Sequence, residues 1–77
     1  MLSQEETIFR LIAEQFSVPV KEINIDMHLV NDLNADSLDS IEIIVECEKE
    51  FDIEIDDDDL ENIQTVKDIV YLVQELS

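Results

Sequence analysis

The residues best placed to support chemistry lie in the run Asp36-Ser37-Leu38-Asp39. Asp36 has the short acceptor side chain that a helix N-cap needs, Asp39 follows three residues on, and apolar residues then recur at helical spacing through Phe51. Ser37 is therefore the first residue of a predicted helix. Its hydroxyl there faces solvent. A phosphate attached to it would lie at the positive end of the helix dipole, near backbone N–H groups the helix has not yet used. Taken alone, Asp-Ser-Leu reads as a cap followed by a filler serine. The chain pairs no nucleophile with a base and has no glycine-rich phosphate loop and no paired His, so nothing in it is expected to catalyse a reaction on its own.

Other reactive side chains read as structural. Cys47 falls on the inner arc of the same helix, beside Ile43 and Phe51 and next to acidic neighbours, so nothing lowers its thiol pKa; it reads as a small core residue. His28 has no second His or Cys nearby, which argues against zinc. Asp32, Asn34 and Asp36 fit the first acceptor positions of an EF-hand, but Ser37 stands where that loop needs Gly and Ile43 where it needs a bidentate Glu. The run Asp56-Asp57-Asp58-Asp59 is explained by a negatively charged first helical turn. No metal site is expected.

Four helices and one long loop must position Ser37. Ser3 with Glu6 forms a capping-box pattern, and Ile8, Leu11, Ile12 and Phe16 follow at helical spacing, predicting a first helix over Gln4 to Phe16, with Phe9 off the stripe. The residues from Ser17 to Ala35 make a long connection, which Ile23, Ile25, Leu29, Val30 and Leu33 should anchor as an ordered loop. The second helix spans Ser37 to Phe51. A short third helix, about Asp57 to Asn62, turns Leu60 and Ile63 inward, and Thr65 with Asp68 caps a fourth whose stripe is Val66, Ile69, Val70, Leu72, Val73 and Leu76. The expected fold is all-α: a small antiparallel four-helix bundle of three longer helices and one short one.

On a wheel of about 100° per residue, Ile43, Cys47, Phe51, Ile44 and Ile41 share one side of the second helix, and Leu38 and Val45 widen the apolar arc to roughly 220°, about twice what a core stripe requires. The excess is either deep burial in a small domain or a surface put to use.

Bulk properties narrow the choice of function. Seventy-seven residues, read as one domain over 1–77, are 45% hydrophobic but contain three Phe, one Tyr and no Trp. Such a core leaves little room for a deep catalytic pocket, which favours a carrier or binding module over an enzyme. Four basic against 21 acidic residues give a formal charge of −17, which repels nucleic acid and anionic membranes and calls for basic partners. One cysteine excludes an internal disulfide, and no apolar run approaches the roughly 20 residues of a membrane span. Without a basic start or hydrophobic signal core at the N-terminus, a soluble, cytoplasmic monomer in a reducing compartment is expected.

The run Asp36-Ser37-Leu38-Asp39-Ser40-Ile41-Glu42, preceded by Asp32-Leu33-Asn34-Ala35 and followed by an acidic helix ending at Phe51, resembles the acyl carrier protein family. The resemblance extends from about Ile8 to Val73, through Ile53-Glu54-Ile55 and Thr65-Val66. It implies that Ser37 carries 4′-phosphopantetheine, placed by a phosphopantetheinyl transferase (a holo-carrier synthase) that draws on coenzyme A, making this a phosphoprotein. It further implies that Asp36, Leu38, Asp39, Ile41, Glu42 and Glu46 border the surface that partner enzymes grip. Leu38, Ile41 and Val45 would form an apolar docking strip ringed by carboxylates, suited to fatty acid synthase enzymes with basic patches. The interior between the second and third helices would shelter an apolar acyl chain, with Ile44, Ile55 and Ile63 as lining.

The acidity of the second helix and the Glu54-Ile55 to Thr65-Val66 pattern look more like the fatty-acid-biosynthesis type than carriers of polyketide assembly or D-alanyl transfer, which share the serine motif. Outside the family the competitor is an unmodified acidic interaction domain. Two positions depart from the family pattern: Asn34 stands where Gly is usual, and Asp56 where Pro is usual. Asn tolerates a left-handed backbone, but losing the proline removes a rigid lead-in to the third helix. Tyr71 stands one position before the usual aromatic.

Overall fold

A computed structural model describes residues 3–77. They form α1 (Gln4–Phe16), a 3-10 turn (Val20–Glu22), α2 (Ser37–Phe51), α3 (Asp57–Glu61) and α4 (Val66–Leu76). The three longer helices pack on one another, while α3 stands apart from that mutual packing. Ile8 and Ile12 of α1, Ile43, Ile44 and Cys47 of α2, and Val66, Ile69, Val70 and Val73 of α4 meet in one core, joined by Ile23, Leu29 and Ala35 from the loop. Leu11, Phe16 and Phe51 pack at its margin, and Leu76, expected in the α4 stripe, is 40% exposed and outside the core. Phe9, off the apolar stripe of α1, is half-buried.

Each long helix starts at the residue its cap selects. Ser3 accepts from the Glu6 N–H, Asp36 from the Asp39 N–H and Thr65 from the Asp68 N–H, and at α2 and α4 the N3 carboxylate reaches back to complete a capping box. The long loop is fastened to the start of α4. His28 bridges Thr65, the Leu29 N–H donates to the Gln64 carbonyl at 2.9 Å, and the first two N–H groups of α4, on Val66 and Lys67, donate to the Met27 and Ile25 carbonyls at 3.0 Å each. Helix-end donors that would otherwise be orphaned thus hold the loop in place.

The chain contains no glycine, so its left-handed positions fall to Ser17, Asn34 and Asp52, with φ of 55°, 58° and 54°. Asn34 takes the conformation expected of a glycine substitute. Asp56 makes no side-chain cap bond, yet its φ of −75° is one a proline adopts, and α3 starts directly after it at Asp57 and ends at Glu61, one residue short of the expected end. The dipole of α3 is met instead by Asp57, Asp58 and Asp59 in its first turn. Tyr71 is exposed, and its ring is covered by the Lys67 ammonium of its own helix, 5.8 Å from the centroid.

The α4 cap yields a pH prediction. Partial burial pushes the Asp68 carboxyl up, but the N–H groups of Gln64 and Thr65, the Thr65 hydroxyl and the charge of Lys67 pull it further down, to a net value below its ordinary 3.8. A carboxyl held lower in the folded state contributes stability that is complete above its unfolded pKa and is lost as pH falls through the folded one. Asp68→Asn, which keeps an acceptor oxygen but removes the charge, should therefore cost less than about 1 kcal/mol at pH 5 to 7, as a solvent-screened charge does. The gap between wild type and variant should close in denaturant titrations below about pH 4. A gap that stays constant into acid would show that the charge of Asp68 contributes nothing.

Candidate functional site

The capping box of α2 fixes Ser37. The Asp36 side chain accepts from the Asp39 N–H at 2.8 Å, and the Asp39 carboxylate accepts from the Asp36 N–H at 3.3 Å, which locks the first turn and leaves Ser37 exposed at its first residue. The Asp36 side chain takes the Asp39 N–H and the Asp36 carbonyl takes that of Ser40, so the first-turn N–H groups of Ser37 and Leu38 are those left without a partner among the described residues. An anion on the Ser37 oxygen would face them. It would also face the carboxylates of Asp36 and Asp39, so the dipole and the free N–H groups must offset that repulsion.

Ser37 stands at the rim of a cavity of about 400 Å³ between α2 and α3, lined also by Ser40, Ile41, Ile44, Asp57, Leu60, Glu61 and Ile63. Ile41, Ile44, Leu60 and Ile63 supply the apolar wall, and Ser40, Asp57 and Glu61 the polar edge. Ile44 and Ile63, expected as lining from sequence, are present; Ile55 does not border the cavity. Its N–H is tied back to the Glu48 carboxylate of α2 at 3.1 Å, which holds the 53–56 segment beside α2, and Leu60 of α3 borders the space instead. Leu60 was legible as an inward residue of α3 but not as part of this wall.

The excess apolar arc of α2 is divided. Ile43, Ile44 and Cys47 are buried, whereas Leu38 is 63% exposed, Ile41 48% and Val45 39%. Around these three lie Asp36, Glu42 and Glu46, all exposed, and Asp39, half-buried. Among the described residues the one ion pair is Lys49 with Glu46, at 4.0 Å, so most of this negative charge is uncompensated. Asp39 is less free than its neighbours: one oxygen completes the cap and the other accepts from the Gln15 amide of α1 at 3.3 Å. Gln15, Ile41, Glu42, Val45 and Glu46 line a further groove between α1 and α2. Nothing in the polar face of α1 singled out Gln15, because its neighbours come from a helix far along the chain.

The remaining candidates are committed to structure. Burial and then the charges of Glu46, Glu48 and Glu50 push the Cys47 thiol up to about 12, which makes it unreactive. The His28 Nδ1 accepts from the N–H groups of Val30 and Asn31 at 3.1 and 3.2 Å, shaping the loop. Asp32 accepts the His28 N–H at 2.7 Å and Asp36 caps α2, so two of the three residues that suggested a calcium loop bind backbone instead. Among the described residues no three His, Cys, Asp or Glu side chains converge as metal ligands do, and no helix is long and apolar enough to cross a membrane.

A family model described as a phosphopantetheine attachment site matches residues 6–73. Among solved structures, a candidate acyl carrier protein from Mycobacterium tuberculosis is 37% identical, with a TM-score of 0.85 over 95% of this chain and 96% of that one. An acyl carrier protein from Enterococcus faecalis is 31% identical, with a TM-score of 0.81 over 96% of this chain and 94% of that one. The apo doublet acyl carrier protein from prodigiosin biosynthesis has a TM-score of 0.81 at 23% identity, covering 96% of this chain and 36% of that one, a likeness of fold alone.

Proposed function

Since the chain belongs to the phosphopantetheine-binding acyl carrier protein family, whose members are carriers and not enzymes, we propose that Ser37 is its attachment residue and that it carries growing acyl chains in fatty acid biosynthesis. The observation that carries this reading is the placement of an exposed hydroxyl at the first residue of α2, on the rim of an apolar cavity. When attached, the arm supplies a terminal thiol that takes acyl groups as thioesters. The chain's own part is to present the serine, to shelter part of the cargo against Ile44, Leu60 and Ile63, and to be recognised. The modifying enzyme is a phosphopantetheinyl transferase using coenzyme A. The later partners are fatty acid synthase enzymes whose basic patches meet Asp36, Asp39, Glu42 and Glu46 around Leu38, Ile41 and Val45. The protein acts as a cytoplasmic monomer.

Assignment to fatty acid synthesis rests on the acidity of α2 and on the Glu54-Ile55 and Thr65-Val66 patterns. A carrier of another pathway is the second reading, because the serine motif and the fold are common to carriers of several pathways. The two are separated by loading the arm and offering the product to purified fatty-acid-type malonyl transferase and ketosynthase, or to a D-alanine ligase. Thiol titration supplies the baseline, because Cys47 is buried: the native unmodified protein should show no fast-reacting thiol and the loaded protein one. The expected result is malonyl acceptance and chain extension on that thiol. Loading by the ligase alone would overturn the assignment of pathway.

A further inference from the structure

Gln15, near the C-terminal end of α1, directs its side-chain amide at two carboxylates of α2. Its Nε2 donates to Asp39 Oδ1 at 3.3 Å and to Glu42 Oε2. Both neighbours are carboxylate oxygens, so only the NH₂ end of the amide can face them, and both of its hydrogens are used. Asp39 and Glu42 are like charges three residues apart on one helix, an arrangement that repels. A lysine or arginine at position 15 would relieve the repulsion by cancelling charge. A neutral double donor relieves it and leaves the charge of the face intact. Glu46, by contrast, has Lys49 beside it.

We propose that Gln15 is a positioning residue of the recognition face, holding Asp39 and Glu42 as a preset pair of acceptors for a basic side chain of the transferase that modifies Ser37. The assignment rests on the reading of Ser37 as the attachment residue. Each carboxylate oxygen has a second lone-pair site, so both remain able to accept from a guanidinium while the amide holds them from behind. The same bond ties α1 to the turn that carries Ser37, because Asp39 is also the carboxylate that closes the α2 capping box. The recognition surface therefore includes α1 as well as α2.

Presetting has a kinetic signature distinct from that of charge. Removing the amide leaves net charge unchanged, so encounter rate and its salt dependence should persist, whereas the complex should dissociate sooner because Glu42 must be ordered on binding. With a phosphopantetheinyl transferase and coenzyme A, Gln15→Leu should raise the KM for the unmodified carrier about three- to tenfold, the worth of one or two hydrogen bonds, with kcat within about twofold. Gln15→Glu, which keeps the shape but adds a third carboxylate, should raise KM further even though it adds attractive charge. In an Asp39→Asn/Glu42→Gln background, Gln15→Leu should change KM by less than about twofold, since both charges it positions are gone; a general loosening of the bundle would act equally in both backgrounds.

Equal effects in the two backgrounds, a Gln15→Leu KM within about twofold of wild type, or a lower KM for Gln15→Glu would each overturn the assignment. Failure of the transferase to modify wild type would instead overturn the reading of Ser37, and this inference with it. Normal modification of wild type with no Gln15 effect overturns the Gln15 assignment alone.

Discussion

Ile43→Ala should destabilise the fold by about 2 to 5 kcal/mol, while Leu38→Ala, five residues earlier on the same helix, should change it by less than about 0.5 kcal/mol. Ile43 is 1% exposed and sits among the core residues of α1, α2 and α4, so truncation removes transfer energy and leaves a cavity. In a domain of this length the whole stability is of the order of 4 to 12 kcal/mol, so Ile43→Ala should lower the midpoint of denaturation steeply. Leu38 has no such surroundings. Its loss should appear in partner kinetics, because a small apolar centre ringed by charge often carries most of the binding energy. Val45, less exposed than Leu38, should lose some of both. Urea titration of the two alanine variants, with acyl-transfer kinetics measured on the folded molecules, separates the roles. Equal destabilisation by Leu38→Ala and Ile43→Ala, with partner kinetics unchanged, would remove the docking strip from the account.

Features set by adjacent residues were legible before the fold. The caps at Ser3, Asp36 and Thr65 fixed where the long helices begin, because each uses a side chain three residues from the group it satisfies. The same rule put Ser37 at the first position of α2. The wheel marked Leu38 and Val45 as surplus to a core stripe, and both lie outside the covered side of α2, which bears Ile43, Ile44 and Cys47. Features set by which elements meet were not legible. Ile55 had the right apolar character for the cavity wall, but its N–H is bonded to Glu48 of α2 and it does not border the space, whereas Leu60 does. Ala13 and Ala35 are buried although too small to register in a hydrophobic pattern, and Gln15 looked like any solvated residue until α2 was packed beside it. The order of the long loop could be inferred from its apolar residues, although Val30, expected among its anchors, is 54% exposed, and its attachment to the N–H groups of α4 depends on residues some 40 positions apart.

The serine itself is the second large effect. Ser37→Ala should abolish modification completely and leave the fold intact, because the exposed hydroxyl makes no cap bond and alanine is the better helix former. Ser40 provides the internal control: it lies one turn on, lines the same cavity and is half-buried rather than exposed. A transferase must bring the serine oxygen in line with the phosphate it accepts, and of the two hydroxyls only that of Ser37 stands clear at the start of the helix. The direct measurement is intact-protein mass, with fragmentation to locate the group, after incubation with coenzyme A and a phosphopantetheinyl transferase. Wild type and Ser40→Ala should each gain the mass of one phosphopantetheine on Ser37, and Ser37→Ala should gain none. Modification at Ser40, or an unmodified wild type under conditions that load a control carrier, would contradict the account.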